Sequence, residues 1–140
     1  MEREELAGWL RLALPGPGPE AARRLLAAFG LPASVLAQPR AALEAVAGAR
    51  AARTVLEPPP EFQGQLARTL DWLRGGEGGA PRHVITLADA RYPPGLLQLA
   101  DPPLLLYVAG EPRVPWPDAI AIVGSRNPTA QGVANARAFA

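Results

Sequence analysis

A chain of 140 residues, 49% of them apolar, has enough hydrophobic content for one globular domain or two small ones, which excludes disorder throughout. Its 14 basic residues, all arginine, face 13 acids, and a net charge of +1 excludes the broad positive field of a general nucleic-acid binder, so any anion site has to be local. With no cysteine, disulfides and thiolate chemistry are excluded; no apolar run approaches the roughly 18 residues of a membrane span, and Glu2-Arg3-Glu4-Glu5 does not resemble a signal peptide, so a soluble cytoplasmic protein is expected.

The first helix is expected over Glu2 to Leu14, with Leu6, Trp9, Leu10 and Ala13 on one face and Pro15 ending it. After Gly16-Pro17-Gly18-Pro19, a second helix from Glu20 to Phe29 buries Ala22, Leu25, Leu26 and Phe29, with Gly30 as terminator. Two helices around a glycine-rich hairpin are also the parts of a helix-hairpin-helix DNA module. Pro15, Pro17 and Pro19 each lack the N–H that would hold a phosphate, and Glu20 would face the anion, so a structural turn is the favoured reading. Pro32, Pro39 and Gly48 then punctuate an alanine-rich run into short helices near 33–37, 41–47 and 49–56. Past Pro58-Pro59-Pro60, the spacing of Phe62, Leu66, Leu70 and Leu73 predicts an amphipathic helix from Glu61 to Arg74. Gly75-Gly76-Glu77-Gly78-Gly79 reads as a flexible linker and domain boundary, dividing a helical domain over 1–74 from a second domain over 80–140.

Beyond the linker, strands are expected at His83–Leu87, Leu104–Val108 and Ala119–Val123, with a short helix at Pro94–Leu99. The single histidine, His83, reads as structural or solvated, Asp89, Asp101 and Asp118 as turn caps, Trp116 as packing more than base stacking, and Tyr107 as core. No residue is expected to be catalytic, and neither a metal nor a cofactor is expected.

The densest chemistry follows the third strand. Ala119-Ile120-Ala121-Ile122-Val123, the pattern of a strand buried on both faces of a parallel sheet, runs into Gly124-Ser125-Arg126-Asn127-Pro128-Thr129. Asn127 is placed as a helix cap with Pro128 at the first helical position, so a phosphate there would meet free N–H groups and the positive end of the helix. Gly124 allows close approach of the backbone, Ser125 offers a hydroxyl and Arg126 a two-pronged donor matched to phosphate oxygens. Gly132 lies inside the expected helix, where glycine costs about 1 kcal/mol relative to alanine, so close approach by a ligand or another backbone is its expected reason. From 119 to 140 the only charged side chains are Arg126 and Arg137. The segment is neither a Gly-x-Gly-x-x-Gly dinucleotide loop nor a Walker loop, and the plain alternative is a strand-to-helix turn whose arginine pairs with a nearby acid.

Val123-Gly124-Ser125-Arg126-Asn127-Pro128-Thr129, preceded by Tyr92-Pro93, Leu96, Asp101-Pro102-Pro103-Leu104-Leu105-Leu106-Tyr107 and Gly110, closely resembles the DprA/Smf family of DNA-processing proteins. The resemblance implies an α/β protein: an N-terminal all-α, SAM-like or helix-hairpin-helix-like domain followed by the beginning of an extended Rossmann-like fold. It implies a non-enzymatic role, binding and protecting incoming single-stranded DNA and helping to load the RecA recombinase in natural transformation, with a homodimer in the full-length protein. The implied DNA or phosphate contacts are Gly124, Ser125, Arg126, Asn127 and Gly132. Because the sequence ends at Ala140, within the helix after the Gly-Ser-Arg turn, the family's later Ser-Gly-x-Ala-x-Gly-Ile-Asp segment is expected to be missing. Two other readings stay open: a Rossmann-like hydrolase of nucleoside monophosphates, which would need an acid or base that 119–140 does not hold, and a fragment that makes protein contacts through its helical half.

Overall fold

Proline and glycine cut the first half of the chain into short helices, and the packing follows from where the apolar side chains fall between those cuts. The computed structural model describes residues 1–14, 16–75, 79–112, 116, 123–125 and 127–139. Its helical half holds α1 (Arg3–Ala13), α2 (Pro19–Phe29), α3 (Pro32–Leu36), α4 (Arg40–Ala47), α5 (Ala49–Leu56) and α6 (Phe62–Leu73). The second half holds β1 (Arg82–Thr86), α7 (Pro94–Leu97), β2 (Leu105–Ala109) and α8 (Ala130–Phe139). Every expected helix in the first half is present within a residue or two of its expected bounds. Pro19, Pro32 and Pro94 each open a helix, where the missing N–H would have had no intrahelical partner.

Two adjoining cores result. Leu12, Ala22, Leu25, Val35, Leu43, Ala52 and Val55 from α1 to α5 are fully buried together, joined by Leu104 from the turn before β2. Leu6, Trp9 and Leu10 of α1 meet Phe62 and Leu66 of α6, and Val84 and Leu105 of the strands close this second cluster. Each buried leucine or valine stabilises the fold by about 1.5–3 kcal/mol relative to an exposed one. α1 therefore serves both clusters, and the strands pack on α6 and α1 through apolar contact.

Polar links reinforce this arrangement. Arg11 of α1 donates through Nε to the Val55 carbonyl and through Nη2 to the Leu56 carbonyl, both at 2.6 Å, closing the C-terminal turn of α5. Partial burial lowers the Arg11 pKa, although a guanidinium stays charged. Arg23 of α2 forms an ion pair with Asp101 in the loop before β2. The hairpin after α1 has a steric reason for its first glycine: a Cβ at Gly16 would fall 2.0 Å from the Leu12 carbonyl oxygen.

β1 and β2 pair antiparallel, with Arg82 opposite Ala109, Val84 opposite Tyr107 and Thr86 opposite Leu105. Side chains alternate along a strand, so these six residues share the face that meets α6, while Ile85, on the other face, is also fully buried. The sheet of the described residues thus has two antiparallel strands, a helix-rich mixed arrangement compatible with α/β. The strand expected at 119–123 falls on residues outside the described set except for Val123. Val123 belongs to no strand and is 90% exposed, so the expectation of burial fails at that residue, because no described layer covers it.

Candidate nucleic-acid interface

Of the residues singled out around the Gly-Ser-Arg turn, Gly124, Ser125 and Asn127 precede α8 and Gly132 lies in its first turn. Gly124, Ser125 and Asn127 are exposed, and Arg126 lies outside the described residues. The Ser125 hydroxyl turns inward on its own loop: it accepts from the Asn127 N–H at 3.1 Å and donates to the Asn127 carbonyl at 3.2 Å. Its one proton is committed, so it offers a ligand only a remaining lone pair unless the longer bond opens.

The helix cap differs from expectation. Thr129, and not Asn127, caps α8: its Oγ1 accepts from the Gly132 N–H at 3.1 Å and its carbonyl accepts from the Val133 N–H at 3.0 Å. Asn127 is instead fixed by Ser125, and Pro128 precedes the cap while Ala130 opens the helix. This cap accounts for Gly132 as well. A Cβ there would meet Thr129 Oγ1 at 3.3 Å, so the crowding neighbour is the chain's own capping hydroxyl. Gly124 has open space around it, with no described atom within 4 Å of a Cβ built there. The first-turn amides of Ala130 and Gln131, which no intrahelical carbonyl reaches, are the donors this end of α8 presents to an anion. α8 itself has no buried residue and carries Arg137 in its last turn, the favourable end of the dipole for a cation.

Other residues noted in the sequence resolve into structural roles. Asp89 caps the turn after β1: its carboxylate accepts the Arg91 N–H at 2.9 Å, Nε at 3.1 Å and Nη2 at 2.7 Å. Those bonds, led by the side-chain one, hold the Asp89 carboxyl below its ordinary pKa and raise that of Arg91. Asp101 is engaged by Arg23, whereas Asp118 lies outside the described residues. Trp116 donates its indole N–H to the Arg91 carbonyl at 2.7 Å, and Tyr92 donates its hydroxyl to the Pro103 carbonyl at 2.8 Å. His83 stands at the start of β1 opposite Val108, and its Nε2 is enclosed without a hydrogen-bond partner among the described residues.

Tyr107 is a correction to the sequence reading. It is 43% exposed instead of core, because the face of β2 that carries it is only partly covered by α6. Its hydroxyl is 2.9 Å from Thr69 Oγ1, and its ring meets Trp72 edge to face, centroids 5.1 Å apart and planes at 81°. Arg82 lies 5.3 Å over the Trp72 ring and donates to the Trp72 carbonyl at 3.0 Å. Gln65, Arg68, Thr69, Trp72 and Tyr107 line a shallow cleft of about 320 Å³. The signal was present in the sequence as a second stripe of α6, since 65, 68, 69 and 72 have the i, i+3, i+4, i+7 spacing of a single helix face.

Among the described residues there is no group of three or more histidine, cysteine, aspartate or glutamate residues that suits a metal ion, and no helix is long and apolar enough to cross a membrane. Compared with known proteins, residues 83–140 match the model of one family, DNA recombination-mediator protein A. No curated protein and no solved structure gives a significant match.

Proposed function

We propose that this chain, whose residues 83–140 match the model of the DNA recombination-mediator protein A family, binds single-stranded DNA and helps pass it to a RecA-type recombinase during the uptake of foreign DNA. The family match carries this reading, because it spans the strands, the Ser125–Thr129 turn and α8 in one segment. The exposed amides at the start of α8 and the arginines at 126 and 137 supply phosphate donors without a competing acid between residues 119 and 140. In this reading Gly124, Ser125, Arg126, Asn127 and Gly132 form the DNA site, with Gly132 acting indirectly by leaving room for the Thr129 cap. In the same reading residues 1–74 are the SAM-like helical domain, 75–79 the linker, and 80–140 belong to a Rossmann-like domain. The protein acts without catalysis, in the cytoplasm, and as a homodimer.

The test is Arg126→Ala, measured by anisotropy of a labelled oligothymidylate. Loss of one charged phosphate contact should weaken binding by about 1.5–3 kcal/mol, equally for strands of different sequence. The salt slope should fall by roughly 0.7. Unchanged affinity and slope would remove Arg126 from the site.

A further inference from the structure

We propose that the cleft between α6 and β2 is a second binding site, for a single nucleotide whose base lies on the Trp72–Tyr107 corner and whose phosphate meets Arg68. Its volume of about 320 Å³ is at the lower end of small-molecule sites, which run from roughly 300 to 1,000 Å³. The aromatic surface is held in place before any ligand arrives. Thr69 fixes the Tyr107 hydroxyl at 2.9 Å, the two rings brace each other, and Arg82 holds Trp72 through both its ring and its carbonyl. A rigid exposed ring loses little entropy when a flat partner stacks on it.

The remaining lining selects the partner's charge and edge. No acid lines the cleft. Arg68 is exposed and makes no ion pair among the described residues, while Asp71, the acid one turn away on α6, is occupied by Arg74 at 2.7 Å. The half-buried Gln65 amide brings both a donor and an acceptor, which suits the edge of a base. A flat, aromatic, anionic ligand with hydrogen-bonding edges is a nucleotide. That this nucleotide belongs to a DNA strand rests on the function proposed above, whereas the cleft's affinity for a nucleotide does not.

The experiment is a nuclear magnetic resonance titration of the 140-residue chain with thymidine 5′-monophosphate, with inorganic phosphate at the same concentration, and in parallel with an oligothymidylate. The nucleotide should shift the Trp72 indole and the amides of Gln65, Arg68, Thr69 and Tyr107, and phosphate alone should not. Arg68→Ala, which removes an exposed side chain, should raise the nucleotide Kd about five- to tenfold. Tyr107→Leu should raise it at least about fivefold through lost stacking, whereas Tyr107→Phe, which keeps the ring, should retain binding. Absence of these shifts, equal shifts with phosphate, or unaltered affinity in folded Arg68→Ala and Tyr107→Leu would overturn the site. Shifts with the mononucleotide but no binding of the oligonucleotide would uphold the cleft and defeat the DNA reading, and the reverse result would defeat the cleft alone.

Discussion

Arg11 offers a demanding test of how the helical half is held together. Its two hydrogen bonds, both 2.6 Å, satisfy the carbonyls of Val55 and Leu56 in the last turn of α5, where no intrahelical N–H is available. Val55 is fully buried, so water reaches that turn poorly once the guanidinium is gone. Bonds to a charged donor contribute about 1.5–3 kcal/mol each, and partial exposure places these at or below the lower end. Arg11→Ala should therefore cost about 2–3 kcal/mol. With a slope near 2 kcal/mol per molar, the urea midpoint followed by far-ultraviolet circular dichroism should fall by roughly 1 M, with the slope unchanged. Arg11→Lys should recover part of the loss, since an ammonium serves as a point charge but does not reproduce the fork. Arg24→Ala, at an exposed position of α2, should stay within about 0.5 kcal/mol. A loss below about 0.5 kcal/mol in Arg11→Ala would refute the claim that this side chain closes α5.

Three further outcomes follow from local geometry. Thr129→Ala should remove about 1 kcal/mol from α8 and Asn127→Ala much less; because α8 has no buried residue, the change should appear in amide exchange at Gly132 to Arg137 and not in the global midpoint, and the opposite ranking would restore Asn127 as the cap. The Asp89 pKa is lower folded than unfolded, so its contribution is present above the unfolded value and lost as pH falls through the folded one; Asp89→Asn should cost about 1 kcal/mol at pH 7. That difference should shrink as pH falls below the ordinary aspartate pKa of about 3.9, and a urea-midpoint difference independent of pH would remove the carboxylate's role. His83→Leu should be neutral or stabilising within about 0.5 kcal/mol, since it removes an enclosed ring nitrogen without a described partner, and a loss above about 1 kcal/mol by urea melting would show that Nε2 is satisfied in solution.

The helices could be read from the chain because their limits are local. Pro32, Pro39, Gly48 and the three prolines from 58 to 60 stop or start a helix whatever surrounds them, and the helix expected at 49–56 lies at those residues. What escaped the reading depends on distant contacts. Arg11 finds its partners 44 and 45 residues away, a separation at which sequence spacing carries no signal. Tyr107 sits in an apolar run, and the pattern Leu104–Val108 does not say which face the neighbouring helix leaves uncovered. At the candidate site, Ser125, Asn127 and Thr129 are all competent caps, and the choice among them was made by the loop: Ser125 closed on Asn127 and left Thr129 to face the helix. Within that segment Asn127 is held by Ser125 instead of capping α8, and Gly132 makes room for the Thr129 cap.

In the proposed function this chain engages single-stranded DNA through its second half. The most direct measurement is equilibrium binding of the 140-residue chain to a labelled oligothymidylate and to a duplex of equal length, each over a series of salt concentrations. Binding to the single strand should be saturable, weaken with added salt and be at least about tenfold tighter than to the duplex, a difference of about 1.4 kcal/mol. Absent or salt-independent binding to the single strand, or equal affinity for the duplex, would contradict the proposed function.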